Sequence, residues 1–152
     1  MIKKKLEEYL LQSIHKMKLF LDTNILIDLT ANREPFSKWA IKIFQDAKVG
    51  KWQLYTSSIS ILTTYYIIEK QIGDTKAKNV LKILLDRLEI QDISKNELQS
   101  ALTTRFKDFE DSVQHECAKL CPTIDYIVTR NKKDFKHSLF KIRSSEELYI
   151  TE

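Results

Sequence analysis

Short apolar runs alternate with longer amphipathic segments along almost the whole chain, and this order constrains the fold more than any other feature of the sequence. Residues 18–21 form a brief apolar run that breaks at Asp22-Thr23-Asn24. Ile25, Leu26, Ile27 and Leu29 continue as an apolar cluster to Asn32, which reads as strand, polar turn and helix. Ser37 is placed to cap a helix over 37–49 whose inner face carries Trp39, Ala40, Ile43, Phe44 and Ala47, and Gly50 stops it. A second strand is expected over 52–56. Helices follow to Ile72, capped by Ser57 or Ser58, and to about Leu88, capped by Asp74. A short strand over 89–93 leads to Ser94-Lys95-Asn96-Glu97, which has the form of a capping box opening a helix to about Phe106. Residues 108–120 read as helix with Asp111 on the first turn, 126–129 as strand, and Ile142 as part of a last strand. Strand and helix in alternation predict an α/β fold, a parallel sheet covered on both faces through right-handed crossovers.

No linker, repeat or low-complexity segment interrupts 17–152, which reads as one domain. At this size roughly 70% of the unfolded surface is buried, so neither disulfides nor a structural metal is needed. Ahead of it Leu6, Leu10 and Ile14 recur at intervals of four beside Ile2 and Tyr9, the pattern of a short amphipathic helix over 1–16. Met17 begins a segment that would itself make a natural start, so 1–16 is read either as an N-terminal helical extension or as a misplaced start. Cys117 and Cys121 lack the paired spacing of a zinc module and are expected to be reduced core thiols. No apolar stretch has the length of a membrane span and no signal peptide is visible, so a cytoplasmic protein without a membrane partner is expected. A net charge of +4, from 25 Lys+Arg against 21 Asp+Glu, permits an anionic partner without requiring one. With two glycines, Gly50 and Gly73, neither a P-loop nor a dinucleotide fingerprint can be assembled.

Function in an open parallel sheet lies beyond the carboxyl ends of the strands. There the chain places Asp22, Thr23 and Asn24 after the first strand, and Thr129, Arg130, Asn131 and Asp134 after the strand over 126–129. Asp111 opens the preceding helix and projects toward the same rim. Carboxylates facing one another without cations repel, which is costly unless they bind a metal or share protons. Oxygen ligands suit Mg2+ or Mn2+, which assist attack on a phosphodiester. Asp22 has a second reading, as the cap of its own helix.

Two stretches resemble a known family. Phe20-Leu21-Asp22-Thr23-Asn24-Ile25-Leu26-Ile27-Asp28 is similar to the opening motif of PIN-domain nucleases. The segments 108–118 (Asp-Phe-Glu-Asp-Ser-Val-Gln-His-Glu-Cys-Ala) and 125–135 (Asp-Tyr-Ile-Val-Thr-Arg-Asn-Lys-Lys-Asp-Phe) are similar to its closing half. The resemblance covers about 17–148. It implies a three-layer α/β/α PIN-like fold around a mostly parallel sheet, with Mg2+- or Mn2+-dependent endoribonuclease activity, as in VapC-like toxins of toxin-antitoxin pairs. By the family's pattern Asp22, Asp111 and Asp134 would be catalytic, and with Asn131 would hold the metal, while Asn24 and Thr129 would orient them. Asp125 matches too but begins its strand at the far end, and is assigned a structural role. One departure stands out: Thr63 occupies the position of the usual helix glutamate. Asp28, Asp108 and Glu69 are the carboxylates available to compensate; the first two also read as solvated surface groups, and Glu69 as too far along its helix.

RNA contacts are expected from Arg33, Lys38, Arg130, Lys132 and Lys133. Tyr65 and Tyr66 are candidates for stacking on bases or for the core. His15, His115 and His137 show no convergent spacing, and no Ser-His-Asp or Cys-His arrangement follows from their order. The resemblance implies an antitoxin partner and a homodimer. Two rival readings remain at this stage. One is a catalytically depleted PIN-like module that binds RNA or protein; the other is a small phosphatase using Lys132 or Lys133.

Overall fold

The computed structural model describes residues 1–14 and 16–150; His15 and residues 151–152 lie outside the described residues. Five strands, β1 (Met17–Leu21), β2 (Trp52–Ser57), β3 (Glu89–Gln91), β4 (Tyr126–Val128) and β5 (Lys141–Arg143), form one sheet in the order β3-β2-β1-β4-β5. Every neighbouring pair is parallel.

The period of two along the strands explains why both faces are covered. Leu19 and Leu21 of β1 enter one core with Trp52, Leu54 and Val128, whereas Phe20 enters the opposite core with Tyr55 and Ile127. The register keeps these sets aligned, with Leu19 opposite Leu54 and Phe20 opposite both Tyr55 and Ile127. The first core is completed by α2 (Thr23–Thr30), α3 (Ser37–Lys48) and α5 (Asp74–Arg87). In the second, α7 (Phe109–Leu120) supplies Cys117 and Ala118, with Cys121 just beyond it, and a single 3-10 turn, Lys132–Phe135, supplies Phe135. The result is the expected α/β/α layering. Both cysteines are buried and free, as core thiols should be.

The remaining helices are α1 (Ile2–Ile14), α4 (Ser58–Ile72), α6 (Lys95–Ala101) and α8 (Glu147–Ile150). Ile2, Leu6 and Tyr9 of α1 are exposed. None of the described helices is long and apolar enough to cross a membrane. The Ser94–Glu97 capping box is present at α6, but that helix ends at Ala101 rather than near Phe106. There the Leu102 and Thr103 amides turn to carbonyls three residues back, and the Thr103 and Thr104 hydroxyls donate to the carbonyls of Ser100 and Ala101. Ser37 is the first residue of α3 rather than its cap, its hydroxyl donating to Glu34 instead. Gly73, not Asp74, caps α5, at a φ of 82° that favours glycine.

From β1 the chain builds outward through β2 to β3, then crosses back to place β4 and β5 on the other side. The carboxyl ends of β1 and β4 therefore flank the topological switch point, where open α/β sheets place their ligands.

Candidate active site

Asp22 directly follows β1 at this switch point and caps α2, the second reading taken from the sequence. Its amide donates to the Val128 carbonyl at 3.0 Å, carrying the β1–β4 ladder one residue further. One carboxylate oxygen, Oδ1, caps α2 by accepting from the Thr23 amide at 2.8 Å. The other, Oδ2, accepts from the Thr129 hydroxyl at 2.8 Å and from the Asn24 amide group at 3.3 Å. Thr129, fully buried just beyond β4, also accepts from the Asn131 amide at 3.0 Å. Asn24 accepts in turn from the Arg130 amide at 3.3 Å. Asn24 and Thr129 thus fix Asp22 and the chain after β4 in one arrangement.

Across from Asp22 stands α7, whose N-cap Asp108 accepts from the Asp111 amide at 3.0 Å. Its first turn carries Glu110 and Asp111, where the helix N-terminus favours negative charge. A cavity of about 320 Å3 opens between the two, lined by Asp22, Thr23, Asn24, Ile27, Thr63, Ile67, Asp108, Glu110, Asp111, Asn131 and Asp134. Among the described residues no basic side chain lines it. Asp111 is only 8% exposed and its carboxylate accepts no hydrogen bond from the described residues. Burial first, and then repulsion from Asp22, Asp108, Asp134 and Glu110, pushes its carboxyl up to about 7. Burial likewise raises Asp22 to about 6, against the opposing hydrogen bonds from Thr129 and Thr23.

Neutralising these carboxylates requires protons or a cation. The donors are oxygens from carboxylates, an amide and hydroxyls, the set a hard divalent ion prefers. Among the described residues no three His, Cys, Asp or Glu side chains are already gathered as a cage. An ion that keeps part of its water shell suits such a site, and the residues present fit Mg2+ or Mn2+ on those grounds.

A buried polar cluster fixes the floor. The Thr23 and Ser60 hydroxyls lie 2.7 Å apart, Ser57 meets Ser60 at 3.0 Å, and Gln114 of α7 donates to Ser60 at 3.0 Å and to Thr23 at 3.3 Å. These contacts join α2, α4 and α7 beneath the cavity.

Of the candidate residues, the structure brings Asp22, Asn24, Thr63, Asp108, Asp111, Asn131 and Asp134 to one cavity, with Thr129 directly behind it. Asp28 does not join them. It is fully buried and faces Arg130, whose Nε lies 2.9 Å from its Oδ2 as an ion pair without the alignment of a hydrogen bond. Burial pushes the Asp28 carboxyl up, and Arg130 and then Arg33 pull it back. Arg130 is further held over the Phe36 ring at 4.4 Å, and Lys132 pairs with Glu147 at 2.8 Å, so these two cations have partners within the fold. Arg33 and Lys133 are exposed. Lys38 lies 5.2 Å from the Trp39 ring centroid. Glu69, Tyr65 and Tyr66 are outside the cavity lining, and the Tyr65 hydroxyl is bonded to Asp74. Asp125 accepts from the Lys18 amide at 2.8 Å, at the opposite end of the strands. His115 packs against Phe106 and Phe140 and accepts from the Leu139 amide.

Sequence reasoning missed Glu110 and Gln114. The only signal for Glu110 was its place beside Asp111 on the capped first turn. Gln114 gave none, since a polar residue in mid-helix reads as solvated until its neighbours are known.

Three comparisons bear on this geometry. In the curated Ribonuclease VapC1 of Aquifex aeolicus, 30% of residues are identical over 137 positions, covering 86% of this chain and 92% of that protein. Among solved structures, VapBC2 from Rickettsia felis bound to a promoter DNA fragment superposes with a TM-score of 0.61 at 22% identity, over 84% of this chain and 98% of that one. A toxin-antitoxin complex from Klebsiella pneumoniae superposes with a TM-score of 0.62 at 23% identity, over 84% and 97%. The sequence profile of the PIN domain matches residues 18–133, from the second residue of β1 into the 3-10 turn after Asn131, and the chain belongs to the PIN-domain family.

Proposed function

We propose that this protein is a divalent-metal-dependent endoribonuclease, the toxin of a toxin-antitoxin pair. One observation carries the reading: Asp22 and Asp111 are buried in one cavity lined, among the described residues, by no basic side chain, and the Asp111 carboxylate accepts no hydrogen bond from those residues. Burying the Asp111 carboxylate there costs folding free energy that a bound cation would offset. The relative named Ribonuclease VapC1 and the toxin-antitoxin complexes among the structural neighbours support the substrate class and an antitoxin partner.

Asp22, Asp111 and Asp134, with Asn131 as a neutral oxygen donor, would hold Mg2+ or Mn2+. When bound, the ion supplies Lewis-acid activation of water and neutralises charge on the phosphodiester. The chain's own residues do the rest. Thr129 and Asn24 hold the Asp22 carboxylate in one orientation, so no reorganisation is needed as substrate arrives. Ile27 and Ile67 form the apolar part of the cavity wall. Glu110 and Asp108, on the rim, keep the local field negative and favour cation binding over an empty site.

The test is incubation of purified protein with a structured RNA in Mn2+, in Mg2+ and in EDTA. Cleavage in metal alone, absent from Asp22→Asn/Asp111→Asn, is the expected result. Equal cleavage by the double variant overturns the assignment.

A further inference from the structure

The acidic cavity is a poor place to bring a polyanion, so a nuclease built on it needs a cationic surface beside it. The structure supplies one of whose cations the sequence reading named only Lys133. A groove of about 370 Å3 adjoins the acidic cavity, and Asp134 lines both. Its cations come from two separate elements: Arg105 and Lys107 from the link between α6 and α7, and Lys133 and Lys136 from the 3-10 turn and the residue after it. All four are exposed, and none forms an ion pair with the described residues. Their floor is rigid, because Phe106 packs edge-on against the buried Phe135 at 5.5 Å and against His115 at 4.9 Å.

Two of the other rim cations, Arg130 and Lys132, offer a contrast. Arg130 is committed to buried Asp28 and Lys132 to Glu147, whereas the groove cations retain their whole charge for a ligand. Four cations on a firm floor beside a carboxylate cluster match the spaced negative charge of a nucleic-acid backbone. Resting on the ribonuclease reading above, we infer that this groove holds the sugar-phosphate backbone of a single-stranded RNA segment next to the scissile phosphate. Arg105, Lys107, Lys133 and Lys136 would each contact phosphate.

The test is the salt dependence of binding to a fluorescently labelled 12-nucleotide single-stranded RNA, followed by anisotropy in EDTA so that the probe survives. Four phosphate contacts on a single strand give a slope near −2.8, so wild-type Kd should weaken about 50-fold between 50 and 200 mM salt. Arg105→Gln/Lys107→Gln/Lys136→Gln retains one contact and should weaken only about 3-fold over that range. Arg105→Lys/Lys107→Arg/Lys136→Arg should keep the wild-type slope. Lys48→Gln/Lys82→Gln/Arg87→Gln removes as many charges elsewhere and should also keep it. A neutralised groove that retains the wild-type slope, in a protein that still cleaves RNA, overturns the groove alone. Wild-type protein that neither binds nor cleaves RNA overturns the ribonuclease reading and the groove with it.

Discussion

Asp111→Asn should make the metal-free protein more stable, and the gain should depend on pH. An ordinary aspartate titrates near 3.8, while Asp111 in the folded protein is held up to about 7. Above 3.8 the unfolded chain has released this proton and the folded chain has not. Folded stability therefore falls as pH rises through that interval, and the penalty is complete above about 7. The full interval corresponds to about 4 kcal/mol. Solvent in the open cavity screens part of this, and the substitution is expected to recover about half of it, about 2 kcal/mol. Asparagine carries none of it and gives up no hydrogen bond, since the carboxylate makes none with the described residues. For a chain of this size the variant should melt about 4–8 °C higher at pH 8 in EDTA, with about a third of that gain at pH 5. Scanning calorimetry at the two pH values reads both. Saturating Mn2+ should reverse the order, adding about 2.7 kcal/mol to wild type at one hundred times its Kd and much less to the variant. A variant no more stable than wild type at pH 8, or one whose gain is the same at both pH values, would refute the reasoning.

Thr129→Val removes a fully buried hydroxyl that bonds Asp22 and receives the Asn131 amide, and should cost about 1–3 kcal/mol. Because that bond favours the ionised form of Asp22, Mn2+ affinity near pH 6 should fall more than near pH 8, as titration calorimetry would read. Arg130→Leu leaves the buried Asp28 carboxylate unpaired and should cost about 3 kcal/mol by urea denaturation, most of it recovered in Asp28→Asn/Arg130→Leu. Thr63→Glu restores a carboxylate to a cavity wall that lacks one, and should lower melting temperature in EDTA while tightening Mn2+ binding about tenfold.

The layers were legible in the sequence because the period of two in β1 is complete: Leu19 and Leu21 face one way and Phe20 the other, each finding its own core. The rim was legible for a related reason. Asp22, Asn24, Thr129, Asn131 and Asp134 each follow a strand end, and in a parallel sheet those ends share one edge. Asp28 lay beyond this logic. Six residues along a helix from Asp22 is a turn of about 240°, which takes it away from the cavity and toward an arginine distant in sequence. Gln114 was hidden because its burial depends on α2 and α4 meeting above α7, a tertiary fact with no local trace. Of the groove cations only Lys133, just past a strand end, was legible; Arg105 and Lys107 lie in the link after α6, at and beyond the end of the expected helix, with no strand end to flag them.

The central claim is that the Asp22–Asp111 cavity is a divalent-metal site that makes this PIN-domain protein a nuclease. Titration calorimetry of Mn2+ into wild type and Asp22→Asn/Asp111→Asn, followed by RNA incubation of the same samples, tests it most directly. The account predicts saturable binding and RNA cleavage by wild type, with both lost in the double variant. Binding that survives in the double variant, or wild-type protein that takes up no metal and leaves the RNA intact, would contradict it.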